Sequence, residues 1–139
     1  MNILIIFYSY SGNTKKVAEL LKEALVGQEA KIKNALTVTQ EDIQKADILI
    51  IGSPIHGYIL FGQKLCKEIR QVINKKLPDN LNGKKVILFA TYLISPRKAL
   101  QKNAKIIERK NGKIMSLVSA KRDRKEELVK KIIQEIIVE

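Results

Sequence analysis

The chain predicts a doubly wound α/β fold, a five-stranded parallel sheet of order 2-1-3-4-5 with helices on both faces. Three observations lead there. Short, nearly unbroken apolar runs recur along the 139 residues, as expected of parallel strands covered on both sides. Stretches of helical periodicity lie between them. The first apolar run also passes directly into a turn rich in hydroxyl groups and then into a helix, as FYSYSGNTKKVAELL over residues 7–21.

Residues 3–7 form the first predicted strand. Val17, Leu20, Leu21, Ala24 and Leu25 follow at helical spacing, and Gly27 stops that helix. A weakly alternating stretch, 30–34, reads as an edge strand, and 48–51 as a central one. Leu65, Ile69, Val72 and Ile73 form the next helical stripe. Asn82-Gly83 turns into a strand at 86–90, and Asn111-Gly112 turns into one at 114–118. Ala99, Leu100, Ala104 and Ile107 give a helix between those two strands. The last helix carries Leu128, Val129, Ile132, Ile133, Ile136 and Ile137. Right-handed crossovers and the strand order put the ligand site outside the carboxyl ends of the strands, beside strand 1. With no repeat or linker, residues 1–139 read as a single domain.

Composition excludes several functions. No apolar run approaches the roughly 18 residues of a spanning helix, so no membrane span is expected. The N-terminal ILIIF is too short for a signal-peptide core, which makes the cytoplasm the expected location. A single cysteine, Cys66, and a single histidine, His56, leave no internal disulfide and no metal site of protein ligands. Cys66 reads as a core residue on a helix. The net charge of +12 is uneven: residues 97–125 carry 11 basic and 2 acidic groups. These cations lack interleaved aromatics, so no nucleic-acid partner is expected.

The loop after strand 1 has more hydrogen-bonding groups than a connection requires. It feeds a helix N-terminus, where free N–H groups and the helix dipole favour an anion. Gly12 lets the backbone approach closely. Ser9, Ser11, Asn13 and Thr14 add side-chain donors, and the whole reads as a cup for one phosphate. Gly12 is the only glycine here, so neither a G-x-x-x-x-G-K-[ST] loop nor a G-x-G-x-x-G loop fits. No cysteine nucleophile lies in the cup, and no acidic residue ends strand 1.

Residues 5–21 resemble the flavodoxin signature at every specified position. Ile5 and Ile6 are its aliphatics, Phe7 its aromatic and Ser9 its hydroxyl; Gly12, Thr14, Ala18 and Leu21 complete it. Length and element order are similar to short-chain flavodoxins throughout. The resemblance implies FMN, with its phosphate in residues 9–14, Tyr10 among them. It also implies that two further loops hold the flavin ring. The second, GSPIHGYILFG over 52–62, has Gly52, Ser53 and Pro54 turning the chain sharply, followed by Ile55, His56, Gly57 and Tyr58. In similar proteins a glycine in this loop lets a peptide flip to accept a hydrogen bond from flavin N5–H, which points to His56-Gly57 or Gly57-Tyr58. Tyr58 either flanks the ring or packs, and His56 is either a proton donor or merely exposed. The third loop begins at Thr91, Tyr92 and Leu93, with Tyr92 placed to stack on the ring. Here the chain departs from the family: Pro96, Arg97 and Lys98 replace the Gly-rich acidic stretch of many flavodoxins.

The resemblance implies an electron-transfer protein shuttling electrons between redox partners, monomeric or weakly dimeric, with no residue assigned as catalytic. The alternative is an FMN-dependent oxidoreductase, either an NAD(P)H or quinone reductase or an enzyme like protoporphyrinogen dehydrogenase. Arg97, Lys98, Lys121, Arg122, Arg124 and Lys125 lie on the cofactor side of the sheet. They suggest a basic rim that steers an acidic redox partner or an anionic substrate toward the flavin.

Overall fold

The computed structural model describes residues 1–56, 63–92 and 97–137. Its strands are β1 (Asn2–Phe7), β2 (Glu29–Asn34), β3 (Ile48–His56), β4 (Lys64–Leu65), β5 (Lys85–Tyr92) and β6 (Lys113–Lys121). Its helices are α1 (Asn13–Ala24), α2 (Gln40–Lys45), α3 (Lys67–Gln71), α4 (Arg97–Arg109) and α5 (Lys125–Ile137). A single π-helical turn, Val72–Lys76, continues α3. The main sheet runs β2-β1-β3-β5-β6, all parallel. This is the expected topology; the numbering shifts because β4, a two-residue strand, pairs antiparallel with the end of β3.

Two apolar layers hold the sheet between helices. On one face Leu4, Ile6, Leu49, Ile51 and Leu88 meet Ile43 of α2, Ile69 of α3, and Leu100 and Ile107 of α4. On the other, Ile3, Ile5, Ile50, Ile87 and Phe89 meet Val17 and Leu21 of α1 and Leu128 and Ile132 of α5. Successive strand residues point to opposite faces, so β1 from Ile3 onward and the first half of β3 must be apolar at every position. Each such side chain contributes about 1.5–3 kcal/mol when fully buried. The edge strands differ. β2 is exposed at Glu29 and Lys31 and half-buried at its other positions, and β6 is mostly half-buried, as an edge permits.

Four local expectations are corrected. Gly52, Ser53 and Pro54 do not turn the chain: they continue β3, paired with Phe89, Ala90 and Thr91 of β5. Thr91 and Tyr92 are likewise the last residues of β5, paired with Ala120 and Lys121. Lys121 accordingly closes β6 rather than following it. Hydrogen-bonded pairing carries these strands past the point where apolar character stops. Leu65 belongs to β4, not to the following helix, and Cys66 caps that helix rather than lying within it. Helix α2 was not anticipated. Its start is a capping box: Asp42 N–H donates to Thr39 Oγ1 at 3.1 Å, and Thr39 N–H donates to Asp42 Oδ2 at 3.0 Å.

Gly52 is required by packing. A Cβ there would lie 2.0 Å from Cζ of the buried Phe89 ring on the neighbouring strand. Gly52→Ala is expected to lose about 3 kcal/mol in denaturant unfolding. Adding Phe89→Leu should restore part of that loss, because the two sites couple by contact. The Thr39 hydrogen bonds hold the Asp42 carboxyl below its usual range. Their stabilising contribution is present above the unfolded carboxylate pKa of about 3.9 and fades as pH falls through the lower folded value. Asp42→Asn should therefore flatten this part of the acid limb of a stability-versus-pH curve.

Candidate flavin-binding site

The site opens where the chain leaves β1 in one direction and β3 in the other. β1 is flanked by β2 and β3, and the crossovers that follow β1 and β3 run to opposite faces, through α1 and α3, which opens a crevice at the carboxyl end of β1. The segment between β1 and α1 lies there.

Gly12 is the N-cap of α1 and adopts a left-handed backbone, φ 91° and ψ −8°. A Cβ at Gly12 would meet nothing within 4 Å, so the backbone conformation, not crowding, favours glycine. No side chain caps α1, and its first turn holds no acidic residue. It holds Lys15 and Lys16 instead. An uncapped N-terminus with cations in its first turn works against the helix dipole until an anion arrives.

The hydroxyl groups are organised around this end. Gly12 N–H donates to Ser9 Oγ at 2.9 Å, and Asn13 Nδ2 donates to Ser11 Oγ at 3.0 Å. Both serine oxygens thus act as acceptors inside the loop. Each serine O–H proton is left to donate elsewhere. Thr14 differs: it is 1% exposed, and its Oγ1 lies 3.1 Å from Oγ1 of the equally buried Thr91. This hydroxyl pair joins the start of α1 to the end of β5, and so ties the first expected loop to the third.

Tyr10 ties the first loop to the α3 side. Its ring stands edge-on to Tyr8, with centroids 4.9 Å apart and planes at 71°. Its hydroxyl donates to Glu68 Oε1 at 2.5 Å. That hydrogen bond, with smaller contributions from burial and the carboxylate charge, pushes the phenol well above its ordinary pKa. Tyr10 as a whole remains 54% exposed.

Of the second loop, Ser53 and Pro54 are buried and Ile55 is half-buried against the core. Ser53 Oγ donates to Pro54 O at 2.6 Å and accepts from Cys66 N–H at 2.9 Å. Its hydroxyl therefore anchors the start of α3. Cys66 beside it is fully buried, and burial pushes its thiol up. His56 is placed by its backbone, paired with Lys64. Gly57, Tyr58 and Leu93 lie outside the described residues, as does Pro96. Tyr92 is half-buried at the end of β5, and its carbonyl accepts from Arg122 N–H at 3.1 Å.

The expected basic rim is partly used internally. Arg124 pairs with Glu127 at 3.5 Å, and Lys125 Nζ donates to Arg122 O at 2.7 Å. Lys121 and Lys98 are exposed. Sequence reasoning missed the Thr14–Thr91 and Tyr10–Glu68 bonds, which join residues 77 and 58 positions apart. Among the described residues, no group of three or more His, Cys, Asp or Glu side chains is arranged to hold a metal ion, and no helix is long and apolar enough to cross a membrane.

A parallel sheet of this order, with an uncapped helix and a ring of hydroxyls at its switch point, defines an α/β protein of flavodoxin-like class. Residues 4–134 match the family model described as a flavodoxin domain, and the chain belongs to the flavodoxin family. A flavodoxin from Clostridium beijerinckii is 30% identical over 90 residues, 63% of this chain and 62% of that protein. One from Aquifex aeolicus is 44% identical over 55 residues, 37% of this chain and 30% of that protein. The matched segments thus span less than two thirds of either relative. Two-electron reduced Megasphaera elsdenii flavodoxin superposes with a TM-score of 0.81 over 96% of both chains at 18% identity, a likeness of fold.

The hydroxyl pair can be tested directly. Thr14→Val or Thr91→Val alone leaves a buried hydroxyl without its partner and should cost about 1–3 kcal/mol in unfolding free energy. The double valine variant should lose less than the sum of the two.

Proposed function

We propose that the chain binds FMN through residues 9–14 and carries electrons between redox proteins. One observation carries the reading: α1 begins at a left-handed Gly12 with no side-chain cap, no acidic residue in its first turn, and Lys15 and Lys16 there instead. Such an end suits a phosphate dianion.

The donor set fits that group. The first-turn amides of α1 and the Ser9 and Ser11 hydroxyl protons would bind the phosphate oxygens. Thr14 would hold the helix start in place through Thr91 and offer its remaining hydrogen-bonding capacity. Lys15 and Lys16 would offset the phosphate charge. Tyr92, at the end of β5, would supply a flat face for the ring. Ser53 acts at one remove: its hydroxyl is occupied by Pro54 and Cys66, so it positions the chain entering and leaving the second loop. Bound FMN would supply one- and two-electron chemistry. This arrangement asks the protein only to bind and orient the group, which suits a carrier.

The test compares FMN with riboflavin, which lacks the phosphate. FMN should bind the flavin-free protein at least about 100-fold more tightly, since charge-assisted hydrogen bonds contribute about 1.5–3 kcal/mol each. Ser11→Ala should narrow that ratio. Equal affinity for the two flavins, or no binding of either, overturns the reading. Rapid NAD(P)H oxidation by the pure flavin-loaded protein would move it from carrier to reductase.

A further inference from the structure

A second feature is separate from the phosphate loop. A cavity of about 450 Å³ lies between β4, α3 with its π-helical turn, and α4. Lys64, Arg70, Lys98 and Lys102 line it, four cations from three segments of the chain, and among the described residues no carboxylate does. Asn103 and Ile106 contribute to its lining from α4.

The charges have no internal explanation. No ion pair links Lys64, Lys98 or Lys102 to a carboxylate among the described residues. All three lysines are exposed. Arg70 is half-buried and fixed by its Nε–H, which donates to Leu65 O at 3.0 Å, so the far end of its guanidinium keeps its other donors. Asn103 is 4% exposed and holds its rotamer by donating to Ala99 O at 2.9 Å. Four like charges around one hollow repel each other, a cost that a complementary anionic surface removes. The hollow adjoins the carboxyl end of β3 through β4, and the start of α4 brings Lys98 to the same end of the sheet. It therefore lies on the side from which a flavin edge would be approached.

We propose that this cavity is the docking groove for an acidic segment of a partner protein that exchanges electrons with the flavin. The occupant is chosen by the form of the charges. Three of the four are ammonium groups on long exposed stems, which act as point charges for encounter and orientation. Only Arg70 offers a planar fork, and its Nε–H is already committed to Leu65 O, so the hollow is dominated by spread point charges rather than by one convergent phosphate clamp. The assignment of an electron-exchange partner rests on the flavin reading above; binding of an acidic chain does not.

The experiment uses the full chain and a fluorescent peptide of consecutive glutamates as the probe. Lys64→Gln, Lys98→Gln and Lys102→Gln are combined in one variant. A control variant carries Lys22→Gln, Lys31→Gln and Lys130→Gln, the same change of charge on other surfaces. The peptide should bind the wild-type protein at low salt and weaken as salt rises from about 0.01 M to about 0.15 M, where the Debye length falls from about 30 Å to about 8 Å. The cavity variant should bind at least about tenfold more weakly, and the control within about twofold of wild type. Amide resonances of Asn103 and Ile106 should shift on titration. Equal losses in both variants reduce the effect to net charge and overturn the proposal. So does tighter binding of tripolyphosphate or of duplex DNA than of the peptide, which would make the hollow a phosphate or nucleic-acid site. FMN titration of the cavity variant separates the two readings: unchanged flavin binding with lost peptide binding supports the groove, whereas a failure of FMN to bind even the wild-type protein tells against the flavin alone.

Discussion

Burial of both faces of the central strands is the constraint on which the rest depends. β1, β3 and β5 each carry apolar side chains alternately toward α1 and α5 and toward α2, α3 and α4. A strand covered on both sides cannot return by a tight hairpin to a parallel neighbour, so each connection crosses over a face. With β1 beside β3, the crossovers that leave these two strands, through α1 and through α3, lie on opposite faces. The gap above β1 follows from that arrangement, and the uncapped end of α1 falls into it.

The elements of the site are then tied together by a few polar contacts. Thr14 and Thr91 share a buried hydrogen bond across the crevice; Tyr10 reaches Glu68; Ser53 holds the amide of Cys66. Each bond joins two different elements, and two of the three are buried where water cannot compete. An anion-binding helix end gains from such support, because its amides act only if they are held in direction before the ligand arrives. The loop's own serines contribute by accepting internally and leaving their protons to donate.

Much of the fold was legible from residues. The unbroken runs at 3–7 and 48–51 require two-sided burial, and the stripe of Leu128, Val129, Ile132 and Ile136 admits only a helix packed on one side. Strand ends were not legible, for a physical reason. Gly52 to Pro54 have the composition of a turn, yet backbone pairing with Phe89 to Thr91 holds them extended. The capping pair at Thr39 and Asp42 is present in the sequence, but α2 buries only Ile43, too little for a periodic stripe. In the site, the family's signature located the loop from Ser9 to Thr14. It could not show that Thr14 reaches Thr91, nor that Lys64 and Arg70 join Lys98 and Lys102 around one hollow, since proximity between distant segments is a property of the packed chain.

The short strand β4 has a consequence for how this protein could diverge. Ile55 pairs with Leu65 and His56 with Lys64, and the Ser53 hydroxyl fastens the next residue, Cys66. Both ends of the intervening segment are thus stapled to the sheet before the segment itself is specified. For a connection closed in this way, doubling its length adds only about 0.6 kcal/mol of closure entropy. Evolution, or an engineer, can lengthen or rewrite the stretch from 57 to 62 while the core on either side stays in register. The paired residues on either side would keep β3 and β4 in place through such a change.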